Sequence, residues 1–127
     1  MKKTKYGNVK LVNAFGKFDS KREYERFLYL MQLEREGKIS SLQRQVKYEL
    51  LPPIYTEEVV VGVRKTKVKK TLQQHAITYS ADFVYVENGE LVVEDVKISK
   101  KVLPPEYVLK KKMLYYFHGI KIREYYG

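Results

Sequence analysis

Three side chains near the middle of the chain have types and spacing that could support hydrolytic chemistry: Asp82, Asp95 and Lys97, within ADFVYVENGELVVEDVK (81 to 97). Two strand-forming runs flank Asn88-Gly89, the dipeptide that favours a two-residue type I′ hairpin turn. That turn pairs Glu87 with Glu90, and so 86 with 91, 84 with 93 and Asp82 with Asp95. Attachment points of such partners lie about 4.5–5.5 Å apart. Alternation then predicts Asp82, Val84, Val86, Leu91, Val93, Asp95 and Lys97 on one face, apolar near the turn and charged at the open end. Carboxylates set opposite each other repel. A divalent cation with a preference for oxygen ligands would offset the repulsion, and Mg²⁺ suits one or two carboxylates completed by water and phosphate. The plainer reading is that Lys97 alone neutralises a surface acid pair.

The composition narrows the chemistry. The 127 residues are the length of a single domain (1–127), with 44% hydrophobic residues to build a core. With no cysteine and two separated histidines, a thiolate or imidazole metal site is not expected, so a metal would be held by oxygen. No apolar run approaches a membrane span, and MKKTKYGNVK lacks the apolar segment of a signal peptide; the expectation is a soluble, cytoplasmic protein. Lysine and arginine number 25 against 15 acidic residues, a net charge of +10. Such a balance attracts polyanions, nucleic acid first. The charge is clustered in RKTKVKK (64 to 70), KISKK (97 to 101) and KKK (110 to 112), which nominates Lys65, Lys67, Lys69, Lys70, Lys100, Lys101, Lys110 and Lys111 as DNA contacts.

The elements that must position these groups follow from periodicity and punctuation. A basic arm (1–14) precedes a helix over about 20–36, with Tyr24, Phe27, Leu28 and Met31 at helical spacing and Gly37 as its stop. VKYELL (46 to 51) and EEVVVGV (57 to 63) read as strands, the stretch 55–76 as a long basic loop whose lysines repel one another, and HAITYSADFVYV with ELVVEDVKI as the long hairpin. Pro104-Pro105 opens a second helix, about 105–118, with Leu109, Met113, Tyr116 and Phe117 on its apolar face and Gly119 at its end. IKIREYY is a last strand. The sum is an α+β or α/β domain with a mixed sheet flanked by helices.

Further candidates are separated by facing. Glu23 lies on the flank of the Phe27/Met31 stripe, toward the sheet, whereas Glu25 points to water. Ser20-x-x-Glu23 is also a capping box, in which Glu23 would only satisfy a helix amide. Glu94 falls on the opposite strand face from Asp95. His75 and His118 have no ligand-spaced partners, Tyr24, Tyr48 and Tyr116 fit core stripes, and Tyr79 fits either role.

Asp82 followed by Asp95-Val96-Lys97 resembles the PD-(D/E)XK nuclease signature. KFDSKREYERFLYL, QVKYELLP, ITYSADFVYVENGELVVEDVK and YVLKKKMLYY together resemble a family of small phage and prophage proteins described as Holliday-junction-resolvase-like endonucleases, over nearly the whole chain. The resemblance implies a restriction-endonuclease-like core of helix, three strands, helix and strand. It further implies phosphodiester hydrolysis with Mg²⁺, or Mn²⁺, held by Asp82, Asp95, the Val96 carbonyl and Glu23, with Lys97 beside the attacking water. Branched DNA as substrate, a homodimer and a bacterial host cytoplasm belong to the same implication. Two departures are an Asp before Val96-Lys97 where Glu is commoner, and the long basic stretch 55–76. The alternatives are a non-catalytic nucleic-acid-binding accessory protein, and an exonuclease or restriction-type nuclease.

Overall fold

The computed structural model describes residues 11–13 and 16–126. Two short strands, β1 (Leu11–Asn13) and β2 (Gly16–Phe18), pair with each other and lead into α1 (Lys21–Arg35). Ser20 caps α1 through its hydroxyl, and the chain leaves the helix through Gly37 in the left-handed region at φ 75°. Strands β3 (Ser40–Leu51), β4 (Ile54–Val61), β5 (Thr66–Gln74), β6 (Ile77–Glu87) and β7 (Glu90–Val96) follow. Helix α2 (Pro105–His118) has proline in its first turn and ends at Gly119, again left-handed, before β8 (Arg123–Tyr125).

Four strands form the central sheet in the order β3-β6-β7-β8, antiparallel except for the last, parallel pair. The sheet is therefore mixed, and a helix covers each face. Phe83, Tyr85 and Val92 pack with Leu30 of α1 on one side. Val84 and Val93 pack with Tyr107 and Leu114 of α2 on the other. The β6–β7 register is the one the Asn88-Gly89 turn dictates, running from Glu87↔Glu90 to Phe83↔Glu94.

Besides register shifts between β3 and β6 at Ser40/Gln43 and Glu49/Leu51, an irregularity in mid-sheet bears on the site. Tyr79 and Ala81 lie in the α2-side core, yet so does Val84, three residues beyond Ala81, so the alternation of β6 changes phase at Asp82. On β3 the residue opposite is Gln45, with a left-handed φ of 51°. The ladder pairs Arg44 with Phe83 and Val46 with Ala81 and omits the two residues between. One residue drops out of each strand, so the register survives while both strands kink.

Several expectations are corrected. The stretch 55–76 is not a loop: β4 and β5 form a ribbon paired from Ile54↔Gln74 to Val61↔Thr66. The lysines obscured strand-favouring Thr66, Val68 and Thr71 among them. β3 begins six residues before VKYELL, in a polar run without alternation. On α2 the buried residues are Tyr107 and Leu114, while Leu109, Tyr116 and Phe117 are exposed. Apolar residues surround that helix, so periodicity could not choose the inward face. Tyr116 is accordingly not a core residue. On α1, Leu30 is fully buried and Leu28 is exposed. Most of the amino-terminal arm lies outside the described residues, and its segment Leu11–Asn13 is a strand. No helix among the described residues is long and apolar enough to cross a membrane.

Candidate functional site

The kink in β6 gives Asp82 its environment. Regular pairing stops at Phe83↔Glu94, one residue short of Asp82. The side chain completes what the ladder leaves off: Asp82 Oδ2 accepts the backbone N–H of Val96 at 2.8 Å. Asp95, on the α2 side of β7, is buried and its Oδ2 lies 3.0 Å from Lys97 Nζ. The Lys97 ammonium also sits 3.4 Å from the centroid of the Tyr107 ring. Its backbone is fixed from two directions, by its N–H to the Tyr125 carbonyl at 2.8 Å and by Arg22, which donates to the Lys97 carbonyl at 3.1 Å. The ammonium is therefore held by an acid below and an aromatic face beside it, both from elements of the folded core.

Glu23 arrives from the first turn of α1. Its backbone N–H donates to Ser20 Oγ at 3.1 Å, so the serine half of the capping box exists. The Glu23 carboxylate turns toward the sheet: Oε1 accepts from Gln45 Nε2 at 3.0 Å and lies 3.8 Å from Arg44. Gln45 Nε2 also donates to Asp82 Oδ1 at 3.3 Å, and Gln45 Oε1 accepts from Ser80 Oγ at 3.1 Å. Glu23, Asp82, Asp95 and Lys97, singled out from sequence, thus meet at the end of the sheet between the amino-terminal turns of α1 and α2. Val96 joins them through its N–H.

The site gathers more buried acidic groups than cations to answer them. Burial is the main force raising the Asp82 carboxyl well above the ordinary carboxylate range, followed by a shared hydrogen bond with Asp95 and the charges of Asp95 and Glu23. The Val96 N–H opposes that rise without cancelling it. Glu23 is raised as well, first by burial and then by Asp19, against Arg44 and Gln45. Asp95 has Lys97 and Glu23 has Arg44, whereas Asp82 has no cationic partner among the described residues. Tyr79 adds an unmet polar group. It is 4% exposed, and its hydroxyl has no partner in hydrogen-bonding geometry among the described residues, while burial first and then the neighbouring Asp95 push its pKa up.

As arranged, no three acidic or histidine side chains among the described residues enclose a point where an ion would bind. The donor chemistry nonetheless suits a hard cation: three carboxylates from three elements, one of them lacking a counter-charge, beside a buried hydroxyl without a partner.

The remaining candidates separate cleanly. Glu94 is fully buried on the α1 side, where Arg26 grips it with two bonds of 2.8 Å and Tyr85 donates to it at 2.7 Å. Glu25 is exposed beside Lys21. The His118 ring bonds the Glu49 carbonyl at 2.6 Å and meets Tyr48 edge-on, and His75 is exposed on the strand-to-strand connection. Lys65, Lys67, Lys69 and Lys70 are all exposed on the ribbon and its turn. Lys100 and Lys101 are exposed between β7 and α2, Lys110 pairs with Glu106, and Lys111 is committed to Glu124. Sequence reasoning missed Gln45, Arg44 and Tyr107. The polar, non-alternating SSLQRQ stretch hid the first two, and only tertiary packing brings Tyr107 to Lys97.

Residues 3–124 match a family model described as "Protein of unknown function (DUF1064)". No curated protein and no solved structure matches the chain significantly.

Proposed function

Since the chain belongs to that family of unknown function, its activity has to be read from its own residues, and we propose that it is a metal-dependent endodeoxyribonuclease that hydrolyses phosphodiester bonds in branched DNA. The observation that carries this reading is that Glu23 and Asp82, from α1 and β6, share the Gln45 amide while Asp95 of β7 holds Lys97 beside them. The order helix, three sheet strands, helix, strand (α1, β3-β6-β7, α2, β8) supports the resemblance to a restriction-endonuclease-like core, with the β4–β5 ribbon as an insertion.

Glu23, Asp82, Asp95 and the Val96 carbonyl are the residues to hold Mg²⁺ or Mn²⁺, which when bound neutralises phosphate charge and lowers the pKa of a coordinated water. Lys97 orients the attacking water and donates to the phosphate oxygens as charge develops on them. Asp95 and the Tyr107 ring keep its ammonium in place without using all three of its protons. The lysines of the ribbon and of the 97–101 segment grip flanking phosphates without reading sequence. Two such sites in a homodimer would address the two strands of a junction.

A panel of labelled four-way junction, flap, linear duplex and single strand, incubated with Mg²⁺, Mn²⁺ or chelator, tests the proposal. Chelator-sensitive cutting of the junction is expected. Tight binding without cutting under every metal condition would favour the accessory-protein reading, and cutting confined to ends would favour an exonuclease.

A further inference from the structure

Gln45 is built into the site in a way that a surface glutamine is not. It lies in mid-strand in a left-handed conformation that non-glycine residues seldom adopt, and both it and the opposite Asp82 are left out of the β3–β6 ladder. Backbone strain of this kind persists only where surrounding contacts over-determine it. Here the contacts are three: one amide N–H to Glu23 at 3.0 Å, the other to Asp82 at 3.3 Å, and Ser80 Oγ donating to the amide oxygen at 3.1 Å. The amide nitrogen therefore stands between two acidic groups that belong to different elements. It is neutral, so it orients them without cancelling their charge.

Resting on the reading of the site as cation-dependent, we propose that Gln45 is a positioning residue that acts as a neutral placeholder, bridging Glu23 and Asp82 and surrendering both to a divalent cation. Three features fit the exchange. Gln45 is solvent-exposed, so the amide has space to withdraw. The Ser80 hydroxyl can donate or accept, so it can serve the amide in either orientation. The Tyr79 hydroxyl, buried near Asp95 and Asp82 without a partner in hydrogen-bonding geometry among the described residues, is a further polar group at the site.

Competition of this kind predicts opposite effects on the two states. Gln45→Met keeps the length of the side chain and removes its N–H donors. The full-length variant should melt below wild type without metal, yet bind Mn²⁺ more tightly, by about fivefold, the worth of a net hydrogen bond that no longer has to be broken. Its melting temperature should consequently rise more on saturation with Mn²⁺ than that of wild type. A purely structural glutamine would lower both melting curves equally. Isothermal titration with Mn²⁺ and melting curves with and without the metal read both quantities independently of cleavage. Unchanged or weakened Mn²⁺ affinity in Gln45→Met overturns the placeholder. If that variant does not fold, Ser80→Ala, which frees the amide oxygen and leaves the acids intact, should shift both measurements the same way by a smaller amount, and no shift overturns the idea. Wild type that gains no melting temperature from Mn²⁺ overturns the placeholder and the cation-dependent reading together, whereas equal gains in wild type and variant overturn only the placeholder.

Discussion

The hairpins β6–β7 and β4–β5 are built from the same kind of sequence and placed in opposite surroundings. Both are rich in valine and charged residues and pair in antiparallel register. Water reaches every residue of β4 and β5, while most of the second half of β6 and most of β7 are buried between α1 and α2. In the buried hairpin a charged side chain must be answered: Glu94 by Arg26, Asp95 by Lys97, Asp82 by the Val96 N–H. In the ribbon, charges face one another across the strands, Glu57 with Lys70 and Glu58 with Lys69, and solvent answers the rest. An isolated two-stranded hairpin is only marginally stable in water. The lesson is a division of labour: geometry exact enough for catalysis needs packing on both sides, whereas charge meant to meet a large polyanion needs only reach.

The comparison breaks first if the buried hairpin is not the seat of chemistry. Asp82→Asn, Asp95→Asn and Lys97→Ala should each lower junction cleavage by at least about a hundredfold while binding to the same DNA persists, measured by gel cleavage and fluorescence anisotropy in parallel. Glu23→Gln should lose much of the activity and Glu25→Gln little, since one carboxylate enters the site and the other pairs with Lys21 in solvent. Wild-type rates in either Asn variant would remove the assignment.

Stability gives the next contrast, using one residue type in two places. Glu94→Ala strands the Arg26 guanidinium against Tyr125 and Tyr85 and should cost about 3–5 kcal/mol of unfolding free energy. Glu57→Ala breaks a pair of 3.8 Å between side chains that are more than half exposed and should cost less than about 1 kcal/mol. Urea titration separates these outcomes, and similar losses would mean that the ribbon is packed against something in solution.

How far the sequence revealed each hairpin has a physical explanation. The β6–β7 register follows from Asn88 and Gly89, whose φ of 52° and 77° match the type I′ turn, so the pairing could be worked out without coordinates as far as Phe83↔Glu94, one step short of the expected pair of Asp82 with Asp95. Strict alternation, however, carries no information about the kink at Asp82, because it arises from a residue on another strand, Gln45. Of the ribbon, β4 was legible in EEVVVGV, whereas β5 was not, because four lysines and an arginine in 64–70 look like charges that repel rather than a strand that pairs. The inward face of α2 was illegible because apolar side chains surround it, and the sheet alone selected Tyr107 and Leu114.

On the proposed reading, the ribbon's own part in the division is to carry charge to DNA. Alternation and the observed pairing put Lys67 and Lys69 on one face, while Lys70 lies on the other against Glu57. Replacing Lys65, Lys67, Lys69 and Lys70 by Gln should leave the melting temperature nearly unchanged and weaken junction binding. The slope of log affinity against log salt should fall by about 2–3, short of the value for four phosphate contacts because Lys70 faces away. Equal slopes in wild type and variant would move the grip to Lys100, Lys101 or Lys110.

The smallest effect is also the most selective between the two regions, because it depends on a single proton. In the folded protein the Asp82 carboxyl, raised chiefly by burial and then by Asp95, holds its proton to higher pH than the unfolded chain, where an aspartate titrates near about 3.9. Between those two values the native state binds more protons than the unfolded one, so stability must fall as pH rises from about 4 through neutrality. Glu23, raised as well, adds to the same trend. Chelator-treated protein should therefore melt lower at pH 8 than at pH 6, and Asp82→Asn should flatten that difference while Glu57→Gln and Glu58→Gln on the ribbon leave it intact. Saturating Mg²⁺ should flatten it in wild type by supplying the missing positive charge. Should the slope survive Asp82→Asn, its source lies outside the carboxylate pair, and Asp82 would not be the acid that a cation discharges.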